Sequence, residues 1–161
     1  MLEAYGRYYI VQFEAVAVSA AQDLLEIAPA DDKPCLLVEA HVTQSSDYKD
    51  AEEEGLRIAV RRGYTTSGSL GTVPTIEKRN PGDAAASFAA EVNNTTLANT
   101  GTAVELPGKR SWNNRIGWHF EPTPTGYIWV AEAQSRLVVR LLAAPVDALT
   151  MDGEFHILEL G

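Results

Sequence analysis

Along much of this 161-residue chain apolar side chains recur at every second position, the period that sends alternate residues to opposite faces of a β-strand. Leu56, Ile58 and Val60 share one face, and Arg57, Ala59 and Arg61 share the other. In the run RLVVRLLA, Leu137, Val139 and Leu141 line one side while Arg136 and Arg140 interrupt the other. Branched and aromatic residues mark further strands at 8–18, 24–27, 35–44, 116–121, 127–132 and 154–160, so the pattern predicts about eight strands.

Turn chemistry separates these segments: PADDKP after the second, GYTTSGSLGT after the fourth and PTPTG before Tyr127. One short helix is expected in PGDAAASFAAEV, with Asp83 as N-cap ahead of an alanine run. Strands before and after it, without β-α-β alternation, make the expected class all-β, an antiparallel two-sheet sandwich with one short helix. A single domain over residues 1–161 suits the length.

The 45% hydrophobic and 22% charged content is that of a globular chain. A net charge of −9 repels a phosphate backbone, which argues against direct nucleic-acid binding. No apolar run reaches the roughly 20 residues of a membrane span, and the start MLEAYGRYY lacks the pattern of a signal peptide, so a non-membrane, unexported protein is expected. Cys35 is the only cysteine, which rules out an internal disulfide or a multi-cysteine zinc site. Within PCLLVEAHV it reads as a small buried hydrophobe.

The stretch SSDYKDAEEEG gathers Asp47, Asp50, Glu52, Glu53 and Glu54 in one connection. It matches no calcium-loop template and reads as a solvated loop, with Glu54 able to turn inward and accept hydrogen bonds in a structural role. His41, His119 and His156 lie far apart in sequence, each in a predicted strand, and no pair has the i, i+4 or H-x-H spacing of a metal site. A cupin-like metalloenzyme would need clustered histidines and carboxylates that this spacing does not supply. No metal, cofactor or catalytic residue is therefore expected. The glycine-rich YTTSGSLGT lacks the lysine of a phosphate loop and reads as a flexible loop. The overlapping sequons at Asn93 and Asn94 read as turn formers. Trp112, Trp118, His119, Phe120, Tyr127 and Trp129 concentrate in the C-terminal half. They are candidates for an interface, with core filling the alternative for at least one tryptophan.

Four segments taken in order, DAEEEGLRIAVRRGYTTSGSLGT, DAAASFAAEVNNTT, SWNNRIGWHFEPTP and RLVVRLLAAPVDALTMDGEFHILEL, resemble a group of jelly-roll proteins of tailed bacteriophages and prophages. The likeness runs from about Gln12 to Leu160, and the last segment carries most of it. The resemblance implies a jelly-roll sandwich and a virion component: a capsid cement or decoration subunit, or a head-fibre-like, tumour-necrosis-factor-like homotrimer. Its partners would be the major capsid protein or other virion proteins, and its place the capsid surface after assembly in the host cytoplasm. It brings no active-site residues. A carbohydrate-binding or host-recognition module is the alternative, with Trp112 or Trp118 stacking on sugar rings.

Overall fold

A computed structural model describes residues 6–46, 54–105, 110–122, 128–130 and 135–161. Twelve strands appear among them: β1 (Gly6–Val18), β2 (Gln22–Ala28), β3 (Cys35–Gln44), β4 (Gly55–Tyr64), β5 (Ile76–Lys78), β6 (Ala89–Asn94), β7 (Val104–Glu105), β8 (Arg110–Asn113), β9 (Trp118–Phe120), β10 (Ile128–Val130), β11 (Arg136–Leu141) and β12 (Leu149–Leu160). They form two antiparallel sheets packed as a sandwich. The first runs β10-β3-β12-β1-β5, with β9 on the same edge of β3 as β10. The second runs β6-β2-β11-β4-β7, with β8 sharing the edge of β4 with β7.

The eight segments that the period-two pattern predicts all contain strands. Their inward faces meet in one cluster, to which the first sheet gives Val11, Phe155 and Ile157 and the second Ile27, Val60 and Val139. Burying each such side chain contributes about 1.5–3 kcal/mol relative to exposure. Cys35 is buried in this core, as its apolar setting suggests.

The expected helix is absent, and no helix occurs among the described residues. Asn80 to Asp83 closes a turn, with the Asp83 amide donating to the Asn80 carbonyl at 3.0 Å. The following residues form β6, whose Val92 and Ala90 pair with Leu25 and Ile27 of β2. Phe88, Ala90 and Val92 alternate into the core. That burial outweighs alanine's helix preference, which is worth only a few tenths of a kcal/mol per residue.

Irregularities in the ladders decide which side chains face outward. In β3 the register jumps so that His156 faces Glu39 while Ile157 faces Leu37, leaving Val38 as an extra residue. Cys35 and Leu37 point inward before this bulge, and Ala40 and Val42 point inward after it. Without the phase change Glu39 and His41 would be directed into the core. A matching jump in β2, where Val139 faces Leu25 but Arg140 faces Asp23, leaves Leu24 extra and turns Asp23 to the outer face with Glu26. A third bulge, in β1 between Phe13 and Val16, holds Ala15 at a φ of 52°. The Asp152 carboxylate fixes it by accepting the Ala15 amide at 2.8 Å.

Candidate functional site

The outer face of the first sheet gathers the three histidines that their spacing keeps apart. His41 on β3 lies opposite His119 on β9 and opposite Glu154 on β12. Glu154 in turn lies opposite Gln12 on β1. One rung along, Glu39 faces His156. Directly opposed residues in a sheet have Cβ atoms about 4.5–5.5 Å apart, so register alone brings five ionisable side chains from three strands together.

Each strand of the β3/β12 pair contributes a Glu-x-His triplet, and antiparallel pairing sets each glutamate across from the other strand's histidine. Glu39 Oε1 lies 2.7 Å from His41 Nε2 and 3.2 Å from His119 Nε2. An ionised carboxylate only accepts hydrogen bonds, so the ring N–H groups donate. The two imidazoles stack with centroids 4.2 Å apart and planes within 5°. Beside them Glu154 Oε1 lies 2.7 Å from His156 Nε2, and Glu154 Oε2 accepts from Gln12 Nε2 at 2.8 Å.

The hydrogen bond from His41, opposed by partial burial and aided by the charges of His41 and His156, holds the Glu39 carboxyl below its ordinary range. The bond from His156 leads the same effect at Glu154. The face is open, with the His119 side chain 49% exposed. A depression of about 520 Å³ adjoins it, lined by Gln12, Glu14, His41, Thr43, Asp152 and Glu154 among others. Bulges commonly re-aim side chains at such places; here Phe13 and Glu14 beside the β1 bulge line the hollow.

The outer face of the second sheet is also charged, but sealed. Arg140 makes a two-pronged bond to Asp23, Nε to Oδ1 at 2.5 Å and Nη2 to Oδ2 at 3.0 Å. Its Nη2 also donates to the Ala98 carbonyl at 2.8 Å, and its Nη1 to the Tyr64 hydroxyl at 3.1 Å. Glu26 accepts from Ser67 Oγ at 2.6 Å and from the Gly68 amide at 2.9 Å, with Arg136 Nε at 3.1 Å. These partners show that the glycine-rich segment is a pinned strap rather than a flexible loop. Thr66, Ser69 and Thr72 bridge to Asn99, Thr96 and Val92. Glycine is required where the strap lies closest: a Cβ on Gly71 would stand 2.2 Å from Asn94 Oδ1.

The aromatic residues expected at an interface are mostly interior. Trp112, Trp118 and Phe120 are buried in the core cluster, where the rings of Trp118 and Phe120 stack at 5.7 Å. Packing between the sheets claims them because β8 and β9 present these positions to the sandwich interior. They are therefore unavailable to stack on a sugar. His119, between two inward residues, points to solvent. Tyr127 and the side chain of Trp129 lie outside the described residues, as do Asp47, Asp50, Glu52 and Glu53. Glu54 takes the structural role expected of it, accepting the Val146 amide at 2.9 Å. Asn93 and Asn94, expected as turn formers, instead end β6, where Asn94 faces Asp23 of β2; both are buried among polar partners, and Asn93 is held at a φ of 59°. Cys35 is no nucleophile, since burial, reinforced by Glu159, pushes its thiol up to about 12.

The sequence signal for the polar face was present in EAH and EFH, two Glu-x-His triplets in neighbouring strands. A search for histidine–histidine spacing passes over it, because the convergence is between strands. Comparisons of the chain with protein families, curated proteins and solved structures return no match.

Proposed function

We propose that this chain is a non-enzymatic jelly-roll subunit of a tailed-bacteriophage virion, a capsid cement or decoration protein that docks as a homotrimer on the major capsid protein. The observation that carries the jelly-roll reading is the order of the strands. The first strand lies beside the last in one sheet, with β3 next to them and β9 and β10 at the edge. The second sheet interleaves the rest, β2 beside β11, then β4, then β7 and β8. The chain crosses between the sheets at each step from β1 to β4 and again from β10 through β11 to β12, which supports the double Greek key of a jelly roll, while β5 and β6 extend the two sheets from the long β4–β7 connection.

The step from jelly roll to virion rests on the resemblance of the four segments quoted above, since one fold serves many functions. Burial of Trp112, Trp118 and Phe120 moves the expected trimer contact to other residues; exposed His119 keeps its place in it. The test is quantitative protein analysis of gradient-purified particles of the phage or prophage that encodes the chain. A fixed ratio of this protein to the major capsid protein is expected, and its absence from the particles overturns the virion role. Light scattering on the purified chain should report about three times 17.5 kDa. A monomer at tens of micromolar removes the trimer.

A further inference from the structure

We propose that Glu39, His41 and His119 form a binding site for a borderline divalent transition-metal ion of the Zn²⁺ class on the outer face of the first sheet. The inference does not rest on the virion reading, although both draw on exposed His119. Each residue offers one ligand atom, and the three atoms lie within 4.8 Å of one another. Imidazole nitrogen and carboxylate oxygen bind Zn²⁺ at about 2.0–2.2 Å, which places ligand atoms of a tetrahedral ion about 3.3 Å apart. Glu39 Oε1 already stands 2.7 and 3.2 Å from the two ring nitrogens. Admitting the ion requires Glu39 Oε1 to part by about 0.6 Å from His41 Nε2 and about 0.1 Å from His119 Nε2, shifts open to these partly exposed side chains.

Three features make this a built arrangement rather than a chance surface cluster. The β3 bulge turns Glu39 and His41 outward together. The stack of His41 on His119 aims both Nε2 atoms at one carboxylate oxygen, so the donors converge. Glu154, across from His41 and held by Gln12 and His156, adds negative charge beside the site. On binding, the metal takes the Nε2 positions that now face Glu39, each ring keeps one proton on Nδ1, and only the second proton of a charged imidazolium leaves to solvent. Two imidazoles favour Zn²⁺, Ni²⁺ or Cu²⁺ over the hard cations Mg²⁺ and Ca²⁺. Three protein ligands on an open face leave a fourth position for water or for a donor from a bound partner.

The test uses the full chain purified without a polyhistidine tag. Titration calorimetry with Zn²⁺ at pH 7.5 should show one site per chain, with Mg²⁺ and Ca²⁺ giving no heat. His41→Ala, His119→Ala and Glu39→Gln should each weaken Zn²⁺ binding at least tenfold, with unchanged circular dichroism showing that each variant folds. His156→Ala should change it less than threefold. Co²⁺ loaded in place of Zn²⁺ should give the visible absorption of a four-coordinate site, lost in His119→Ala. Absence of binding tighter than 100 µM overturns the proposal. So does binding that survives the His41→Ala, His119→Ala double variant.

Discussion

The two outer faces of this sandwich hold the same kinds of side chains in opposite circumstances. On the second sheet Asp23 and Arg140 are 0% and 8% exposed beneath a strap, whereas on the first Glu39 and His119 are 33% and 49% exposed. On each face a bulge that shifts the phase of one strand turns part of the charge outward, Asp23 beside Leu24 in β2 and Glu39 with His41 after Val38 in β3. What separates them is the covering. A charge sealed from water must be fully paired, and its removal costs stability. A charge left in water contributes little to stability and stays available to a ligand.

The largest effect should come from Asp23→Ala. It strands the Arg140 guanidinium in the interior and should cost about 3–5 kcal/mol in urea denaturation. A loss below about 1 kcal/mol would mean that water reaches the pair, and the contrast between the faces would fail. Next, Gly71→Ala drives a methyl into the Asn94 side chain and should lift the strap, at roughly 1–3 kcal/mol. Faster amide exchange at Gly68 and Ser69 should accompany it. On the open face, Glu39→Gln should change stability by less than about 1 kcal/mol. A cost as large as that of Asp23→Ala would assign the polar face to structure.

The smallest expected effect is a dependence on pH. Glu39 and Glu154 have carboxyls held below the usual range in the folded chain. The unfolded chain therefore binds protons first as pH falls. The stabilisation is complete above the unfolded glutamate value of about 4.3 and is lost as pH drops through the folded values. Between pH 6 and pH 3 the melting temperature should fall less steeply in a Glu39→Gln, Glu154→Gln double variant than in the parent chain. Equal slopes would mean that these pairs do not persist in solution.

The same distinction explains how much of the molecule its sequence discloses. Long strands with one wet and one dry face, such as 56–61 and 154–160, are visible because alternation is a local property. The edge strands β5, β7 and β8 are too short to establish a period. The alanine run preceding Val92 carries a helical signal that only tertiary pairing overrules. The polar face of the first sheet was hidden for another reason. His41 and His119 become neighbours through a register, and a register between strands 78 residues apart is not written in either one. Arg140 illustrates the converse, since its charge suggests solvent until Asp23 and the strap are in place.

The pairing of β1 with β12 also governs how this protein bears load. Gly6 lies opposite Leu160, and the two strands then run antiparallel to Val18 and Leu149. Force applied between these two ends acts along the inter-strand hydrogen bonds, which lie perpendicular to the strands. The rungs break one at a time, from Gly6 onward, as a zipper opens. If the chain is held at a face and pulled sideways, many rungs must fail together. The sandwich is thus weak when β1 and β12 are drawn apart at the Gly6–Leu160 end and strong when gripped as a body.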